Sequence, residues 1–270
     1  MLSAAAADEG AHARPIISAR DIRKTYQSKK GEDVVALEDI NIDIAENEFV
    51  TLVGPSGCGK STFLKMVAAL VDPTAGALEL KGSRLVSPSR DVGIVFQDAV
   101  LLQWRNIVDN VLLPAEILGL PLAEYRQKAL DLLELVGLAG FEQRMPDELS
   151  GGMQQRAALC RALVHDPSIL LMDEPFAALD AMTREELGLE LLRIWDEHRK
   201  TILFVTHSIP EAILLADRVV VMTPRPGRIA RIIDIELERP RTLDMEFLPQ
   251  FKAYSDEIRA LIDARRDTSG

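Results

Sequence analysis

The stretch "GPSGCGKST", residues 54–62, follows the apolar run "FVTLV" and precedes a run with helical spacing, "KSTFLKMVAAL". It matches G-x-x-x-x-G-K-[ST] in the strand-then-helix context in which that pattern forms a phosphate-binding loop. Glycines let backbone N–H groups curl around β- and γ-phosphates, and the helix N-terminus adds partial positive charge. A glycine turn with a chance lysine is the alternative interpretation. The predicted nucleotide-binding residues are Gly54, Pro55, Ser56, Gly57, Cys58, Gly59, Lys60, Ser61 and Thr62.

Three side chains of this loop have distinct predicted roles. Lys60 supplies a point cation for the phosphates and is counted among the catalytic residues. Ser61 is expected to place its hydroxyl on Mg²⁺. Cys58 is interpreted as a small filler of the loop rather than as a reactive thiol.

Two adjacent carboxylates end another apolar run, "ILLMDEP", at residues 169–175. In α/β proteins the carboxyl ends of strands bind ligands. We expect Asp173 to hold Mg²⁺ through water, and Glu174 to orient and deprotonate the attacking water. The alternative is that Asp-Glu-Pro only caps the next helix.

Two further side chains end apolar runs in the same way. His207 closes "TILFVTHS", where an imidazole can hydrogen-bond a γ-phosphate and the attacking water. Gln97 closes "VGIVFQ" and can contact Mg²⁺ or water through its amide. A structural role is the alternative for both residues.

Apolar runs that alternate with helical patterns predict a parallel sheet covered on both faces. A mainly helical block, residues 98–165, interrupts this α/β pattern and is interpreted as an insertion. The predicted organisation is a flexible tail at 1–14, one α/β domain at 15–235 containing the insertion, and an extension at 236–270 with an amphipathic helix. Two helical faces are predicted to pack on the core: Tyr125, Ala129, Leu132, Leu133 and Val136, and then Phe251, Tyr254, Ile258, Leu261 and Ile262.

Composition limits the function. The chain has 270 residues, 47% of them hydrophobic, and its 42 acidic against 31 basic residues give a net charge of −11. This acidic balance disfavours broad capture of nucleic acid, and no nucleic-acid partner is expected. Two isolated cysteines give neither a disulfide framework nor a zinc site and suit a reducing cytoplasm. The N-terminal segment does not have the pattern of a secretion signal, and no run is long and apolar enough to span a bilayer.

A second pair of glycines occurs in "ELSGGMQQRAALCRAL", residues 148–163. Ser150 is a good helix N-cap, and Gly151 and Gly152 permit close backbone approach to an anion. The helix is expected to run until Asp166-Pro167 stops it. Because the loop with Lys60 already holds one triphosphate, this second site is redundant within one chain unless it serves another copy. A plain helix N-cap is the alternative.

The order of these motifs, from "GPSGCGKST" through Gln97, "LSGGMQQR", "LLMDEP" and "AALD" to His207, resembles the ATP-binding subunit of ABC transporters. The resemblance implies a RecA-like P-loop NTPase core with an antiparallel β-subdomain and an inserted α-helical subdomain. It implies ATP and Mg²⁺ as cofactors, Tyr26 stacked on adenine, Gln97 linking nucleotide to insertion, and Asp180 touching an opposing subunit. It also implies a head-to-tail homodimer in which Ser150, Gly151 and Gly152 close on the γ-phosphate held by the partner. The chain departs from the family pattern at Met153, Ala177 and Gln103. None of these positions is among the residues predicted to hydrolyse ATP.

Three segments, "LLQWRNIVDNV", "EPFAALDAMTRE" and "VMTPRPGRI", look like the importer branch for nitrate, sulfonate, taurine and related small molecules. The implied partners are two transmembrane permease subunits and an extracytoplasmic substrate-binding protein, with this chain peripheral on the cytoplasmic face of the inner membrane. The region from Gln97 to Asn110 is expected to grip the membrane subunits, with Trp104 either an anchor there or a core residue. "TPRPGR" by itself reads as a solvated hairpin turn. Two alternatives stay open: a soluble ABC ATPase acting on DNA or the ribosome, and a regulatory ATPase that moves no solute.

Overall fold

The computed structural model describes residues 15–27, 31, 33–177 and 179–264. The tail predicted for residues 1–14 lies outside these described residues. The strands, in chain order, are β1 (Ile17–Gln27), β2 (Asp33–Ile44), β3 (Phe49–Val53), β4 (Ala75–Leu80), β5 (Ser83–Arg84), β6 (Val92–Val95), β7 (Ile169–Asp173), β8 (Thr201–Val205), β9 (Arg218–Met222) and β10 (Ile229–Asp234). The α-helices are α1 (Lys60–Val67), α2 (Ile107–Ile117), α3 (Leu122–Leu135), α4 (Gly151–Leu163), α5 (Ala181–His198), α6 (Ile209–Leu215) and α7 (Pro249–Asp263).

The larger sheet has the strand order β10-β9-β3-β8-β7-β6. Its strands from β9 to β6 run parallel, and only β10 pairs antiparallel, with β9. Every residue of β3, β7 and β8 is buried, as expected for strands covered by other elements on both faces. The predicted parallel sheet is confirmed, and its parallel strands all end at one edge.

The smaller sheet is antiparallel, in the order β2-β1-β4-β5. The alternation "INIDI" in β2 buries Ile40, Ile42 and Ile44 and leaves the residues between them exposed, as expected for a strand with one face on the core. The short strand β5 was not predicted. It lies in a segment rich in glycine, proline and serine, and its two residues pair only with the end of β4.

The helices α2, α3 and α4 lie between β6 and β7 in the chain. Within the block predicted to be mainly helical, the first helix, α2, begins only at Ile107. Asn106 caps α2, its Oδ1 accepting the Asp109 N–H at 2.8 Å. The buried Asn110 amide donates to the carbonyls of Leu102 and Arg105 at 3.0 and 2.9 Å, which holds the preceding segment in an irregular conformation.

Both predicted apolar helix faces pack on the core. On α3, Ala129, Leu132 and Leu133 are buried, and Tyr125 is partly buried against the same cluster. On α7, Phe251 and Ile258 are buried in this cluster and the remaining predicted residues border it. Among the described residues, no helix combines the length and the apolar character required to cross a membrane.

The segment before α7 is fastened to α6 by one buried arginine. Arg241 is 5% exposed and donates to the carbonyls of Ile213, Leu214 and Ala216 at 3.0, 3.1 and 2.6 Å, near the end of α6. Burial, helped by neighbouring Arg239, lowers the Arg241 pKa to about 10. These bonds satisfy helix-terminal carbonyls that would otherwise lack partners.

Candidate nucleotide-binding site

Five polar segments meet at one edge of the larger sheet because five neighbouring strands are parallel and end there. The phosphate loop follows β3, and Glu174 follows β7. His207 comes after β8, Gln97 after β6, and the turn "TPRPGR" after β9. Residues far apart in the chain therefore lie along the same edge of the sheet.

The phosphate loop is hydrogen-bonded internally and its lysine is buried, while Ser56 and Gly57 are exposed. Lys60 is 4% exposed, and its Nζ donates to the carbonyls of Gly54 and Pro55 at 2.8 and 3.2 Å. At Gly59 φ is 105°, and a Cβ atom would lie 2.5 Å from Leu37 Cδ2, so only glycine fits there. Cys58 is buried and burial raises the pKa of its thiol, which favours the interpretation as a filler.

The first residues of α1, the helix that follows the phosphate loop, contact the end of β7. Ser61 Oγ donates to Asp173 Oδ1 at 2.6 Å, and Asp173 is 7% exposed. A hydroxyl and a carboxylate are the hard oxygen donors that Mg²⁺ prefers, and Mg²⁺ is usually held by one or two carboxylates together with substrate phosphates. Within residues 15–27, 31, 33–177 and 179–264, no group of three His, Cys, Asp or Glu residues could hold a metal ion by itself. The donors present therefore fit a nucleotide-bound Mg²⁺ and not an independent metal centre.

Glu174 and His207 are joined directly. His207 Nδ1 lies 2.9 Å from Glu174 Oε2, and because a carboxylate only accepts, the ring nitrogen donates. Glu174 has a φ of 45°, a left-handed conformation that costs a non-glycine residue about 1 kcal/mol or more. Its N–H donates to the Val205 carbonyl at 2.9 Å, which ties this strained residue to the neighbouring strand.

A cleft of about 410 Å³ opens over the phosphate loop. Its walls include Tyr26, Val34 and Ala36 from the smaller sheet, and Glu174 and Arg225 from the larger one. Tyr26 is 41% exposed, and Lys24 Nζ lies 5.1 Å from its ring centroid. The structure thus brings Tyr26 to the phosphate loop, although the two belong to different sheets.

Gln97 is exposed, and the segment around it is fastened to α4. Gln155, 5% exposed, donates to the Phe96 carbonyl at 3.0 Å. Arg161 donates to the carbonyls of Ala99 and Val100 at 2.7 and 2.8 Å, and burial lowers its pKa. Sequence reasoning missed both anchors, since a glutamine and an arginine within a helix carry no signal of their own.

The Ser150 turn has a different environment. Ser150 is exposed and caps α4, its Oγ accepting the Met153 N–H at 3.3 Å. A Cβ atom at Gly151 would meet nothing within 4 Å, whereas one at Gly152 would lie 3.1 Å from Thr183 Cγ2. Among the described residues that line the cleft, none comes from this turn.

Asp180 lies beside the Ser150 turn and caps α5. Its carboxylate accepts from the N–H and the hydroxyl of Thr183 at 3.0 and 2.7 Å. The N–H bond is the larger cause of its lowered pKa. The neighbouring residue Thr183 also approaches Gly152, so Asp180 and the glycine turn share one exposed surface.

Two expectations are corrected by exposure and contact. Trp104 is 74% exposed, so it is not a core residue. The "TPRPGR" segment is a hairpin turn between β9 and β10, but it is not merely solvated, because Thr223 and Gly227 are buried. Its Arg225 donates to the Gly57 carbonyl of the phosphate loop, a contact for which the sequence contains no signal.

The fold and this edge geometry define a P-loop nucleotide-binding protein. Residues 37–177 match the family described as "ABC transporter", so the chain belongs to the ABC transporter family. Members of this family hydrolyse ATP, and the chain is an ABC-type ATPase with the predicted P-loop core, antiparallel sheet and helical insertion.

Individual relatives cover most of the chain. An uncharacterized ABC transporter ATP-binding protein of Methanocaldococcus jannaschii is 52% identical over 219 residues, 81% of this chain and 82% of that protein. A taurine import ATP-binding protein of Rhizobium johnstonii is 43% identical over 247 residues, 90% of this chain and 94% of that protein. A dimeric structure of the ATP-binding cassette MJ0796, bound to ADP and Pi, has a TM-score of 0.74 at 33% identity and covers 82% of this chain and 100% of that one.

Proposed function

We propose that this chain is the ATP-hydrolysing subunit of an importer for a small sulfonate-like solute, working as a head-to-tail dimer with two composite ATP sites. One observation carries the proposal: the loop around buried Lys60 and the open turn at Ser150 are built for the same ligand group but do not line the same cleft. Each chain therefore contributes its phosphate loop to one ATP site and its Ser150 turn to the other. The dimeric, ADP- and Pi-bound cassette at 33% identity supports this arrangement.

Within one chain, the phosphate loop binds the triphosphate. Lys60 exchanges its bonds to the carbonyls of Gly54 and Pro55 for phosphate oxygens, and the N-terminus of α1 directs its N–H groups at the same anion. Tyr26, on the opposite wall of the cleft, stacks on the adenine. Ser61 and Asp173, with Gln97 joining from the end of β6, would hold Mg²⁺, which when bound would supply positive charge against the phosphates.

Hydrolysis uses the pair at the ends of β7 and β8. Glu174 accepts a proton from the attacking water, and its strained backbone holds the carboxylate at the edge of the sheet. His207 fixes that carboxylate through Nδ1, and as an imidazolium, with both ring nitrogens protonated, it can also donate its Nε2–H to the γ-phosphate. The two side chains thus act as one unit, each orienting the other.

The second half of the site comes from another copy. Ser150, Gly151 and Gly152 present an N-cap hydroxyl and helix N–H groups on an exposed surface, where no side chain shields Gly151. Asp180, beside them, contacts the opposing subunit at the same seam. ATP bound to the partner's loop then joins the two chains, and hydrolysis separates them.

Coupling to the membrane subunits runs through the segment after β6. Gln155 and Arg161 fasten residues 96–100 to α4, so a change at Gln97 moves the helical insertion with it. A groove of about 530 Å³, lined by Phe96, Val100 and Ile117 among others, lies between β6 with its preceding segment and this insertion. Ile117 in the groove and Trp104 elsewhere on the insertion are each 74% exposed, which suits a short apolar helix of a membrane subunit.

The remaining assignments rest on the relatives. Taurine is a small aminosulfonate, so the relative named for its import supports a sulfonate-like solute. An importer role requires two permease subunits, a substrate-binding protein outside the membrane, and a peripheral position for this chain on the cytoplasmic face. The proposed units are an ATPase domain at 15–235 with its insertion at 98–165 and an extension from 236.

The test is the ATPase activity of the complex reconstituted in liposomes with its permease subunits and binding protein, with taurine, alkyl sulfonates and nitrate offered in turn. We expect one solute class to stimulate hydrolysis several-fold and to accumulate inside the vesicles. Stimulation without accumulation would support the regulatory alternative. Copurification with ribosomes or DNA, and not with multi-span proteins, would support the soluble alternative.

A further inference from the structure

The turn "TPRPGR", residues 223–228, lies against the phosphate loop and contacts two successive carbonyls of it. Arg225 donates from Nε and Nη2 to the Gly57 carbonyl at 3.3 and 3.2 Å. Gly227 approaches so closely that a Cβ atom there would lie 1.9 Å from the Cys58 oxygen. Only glycine permits this approach.

The turn is itself held in place by bonds that do not involve the loop. Thr223 Oγ1 accepts the Arg228 N–H at 3.0 Å and lies 3.1 Å from the Pro226 carbonyl, which closes the turn internally. The Gly227 N–H donates to the Ala36 carbonyl at 3.0 Å, and the Gly227 carbonyl accepts from the Glu38 N–H at 3.0 Å. The turn is therefore a fixed bridge between β2, which forms one cleft wall, and the phosphate loop.

This contact matters because of how such loops bind anions. A phosphate loop works when its N–H groups converge on the ligand, which requires that the carbonyls of the same peptides point elsewhere and find their own donors. A carbonyl that rotates inward repels phosphate. The Arg225 guanidinium supplies the Gly57 carbonyl with two charge-assisted donors. Gly57 has a φ of 75°, and because glycine is conformationally free, these two hydrogen bonds can restrain the orientation of its peptide.

We propose that Arg225 is a positioning residue for ATP binding, which presets the Gly57 peptide so that the phosphate loop is formed before nucleotide arrives. The inference rests on the proposed role of residues 54–62 as the ATP phosphate site. Preorganisation acts on affinity, because it removes an ordering cost that binding would otherwise carry. It leaves the hydrolytic pair, Glu174 and His207, untouched.

The test compares R225A, R225Q and R225K with the matched control R228Q, which changes an exposed arginine of the same turn that pairs with partly buried Glu38 instead of the loop. The measurements are the Kd for ATP and for ADP, kcat at saturating ATP, and Tm. We expect R225A to raise both Kd values by the same factor, about tenfold, the low end for losing the charge-assisted donors to one carbonyl, because the Arg225 side chain is exposed. We expect kcat within twofold of wild type, partial rescue by R225K, and no change in R228Q.

Three outcomes would overturn the inference. The first is a wild-type Kd for ATP and ADP in R225A. The second is a rise in Kd that is much larger for ATP than for ADP, which would mean direct contact with the γ-phosphate. The third is a fall in kcat and Tm that R225K does not rescue. K60A separates this inference from the proposed function. If K60A abolishes ATP binding while R225A binds normally, only the role of Arg225 fails; if K60A binds ATP normally, the proposed phosphate site itself fails.

Discussion

The two glycine-containing turns of this chain suit the same kind of ligand, an anion, and are built in opposite ways. The loop around Lys60 is closed: its lysine is 4% exposed, its carbonyls have donors, and a Cβ at Gly59 would lie 2.5 Å from Leu37. The turn at Ser150 is open: its serine is exposed and a Cβ at Gly151 would meet nothing within 4 Å. Both begin a helix, so both offer N–H groups to an anion.

The difference shows which contacts each turn obtains within its own chain. The closed loop is supported by neighbouring strands and by the turn after β9, and Ser61 already meets Asp173. The open turn has one side-chain hydrogen bond, the N-cap to Met153, and otherwise presents backbone to its surroundings. This sparse set of contacts among the described residues is the physical basis of the proposed dimer, in which another copy brings a ligand group to the open turn.

The largest expected effect concerns Glu174, the proposed base at the sheet edge that carries the closed loop. E174Q removes the base but keeps the shape and a group that can bond His207, so ATP binding should persist. We expect the rate of hydrolysis to fall by about 10²–10⁴-fold, the usual contribution of a general base. Light scattering should then show an ATP-dependent dimer that does not dissociate. The control is E197Q, an exposed glutamate of α5, and turnover of E174Q within tenfold of E197Q would contradict the base assignment.

A matched pair of glycine substitutions tests the comparison itself. G59A adds a methyl group where φ is 105° and Leu37 blocks the space, so we expect loss of measurable ATP binding by the isolated chain. G151A adds the same methyl group to open space, so the isolated chain should bind ATP with unchanged affinity. In G151A only dimer-dependent hydrolysis should fall, by roughly tenfold. Equal losses of ATP affinity in both variants would mean that the two turns are not built differently.

A bulky residue at the open turn gives a sharper result for the dimer. We expect S150R to bind ATP normally but to remain monomeric with ATP, because its side chain occupies the space of the partner's phosphate. The charge control is D147R, an exposed position three residues earlier. An ATP-dependent dimer of S150R would contradict the shared site, and a monomeric D147R would attribute the effect to charge alone.

Much of the site could be predicted because its residues follow local signals. The glycine loop precedes a helix, and Asp173 ends a strand of continuous apolar residues. Parallel strands then require these ends to meet, so the juxtaposition of Ser61 with Asp173 follows from fold class and motif position. The same reasoning correctly gave the core faces of α3 and α7, since their periodicity matches the helix.

What could not be predicted depends on contacts between distant residues without periodicity. Arg225 and Gly57 are 168 residues apart, and nothing local to "TPRPGR" distinguishes a turn that packs from one that is solvated. The positive φ of Glu174 also has no sequence signal, because it depends on the position of Glu174 at the end of β7 and on its hydrogen bond to Val205 of β8. The late start of α2 depends on the buried amide of Asn110, whose partners precede the helix.

The smallest expected effect concerns another serine cap, Ser208 of α6, which accepts the Glu211 N–H at 3.4 Å much as Ser150 accepts that of Met153. Behind Ser208 the Glu211 carboxyl is mostly buried against Thr206, and desolvation is the largest cause of its raised pKa. The folded chain therefore binds more protons than the unfolded chain between the usual carboxyl pKa and the raised value. Stability contributed here falls as pH rises through that window.

E211Q removes this dependence, since an amide keeps the Thr206 contact without a buried charge. We expect E211Q to raise Tm relative to wild type by about 2–4 °C at pH 8, a shift corresponding to about 1 kcal/mol, and to have little effect at pH 4. E197Q, on an exposed surface, should show no such pH dependence. Thermal unfolding of the three proteins at the two pH values makes the measurement. An equal Tm difference between E211Q and wild type at pH 4 and pH 8 would show that the Glu211 carboxyl does not titrate in this range. The buried cap at Ser208 would then differ from the open turn at Ser150 only in packing.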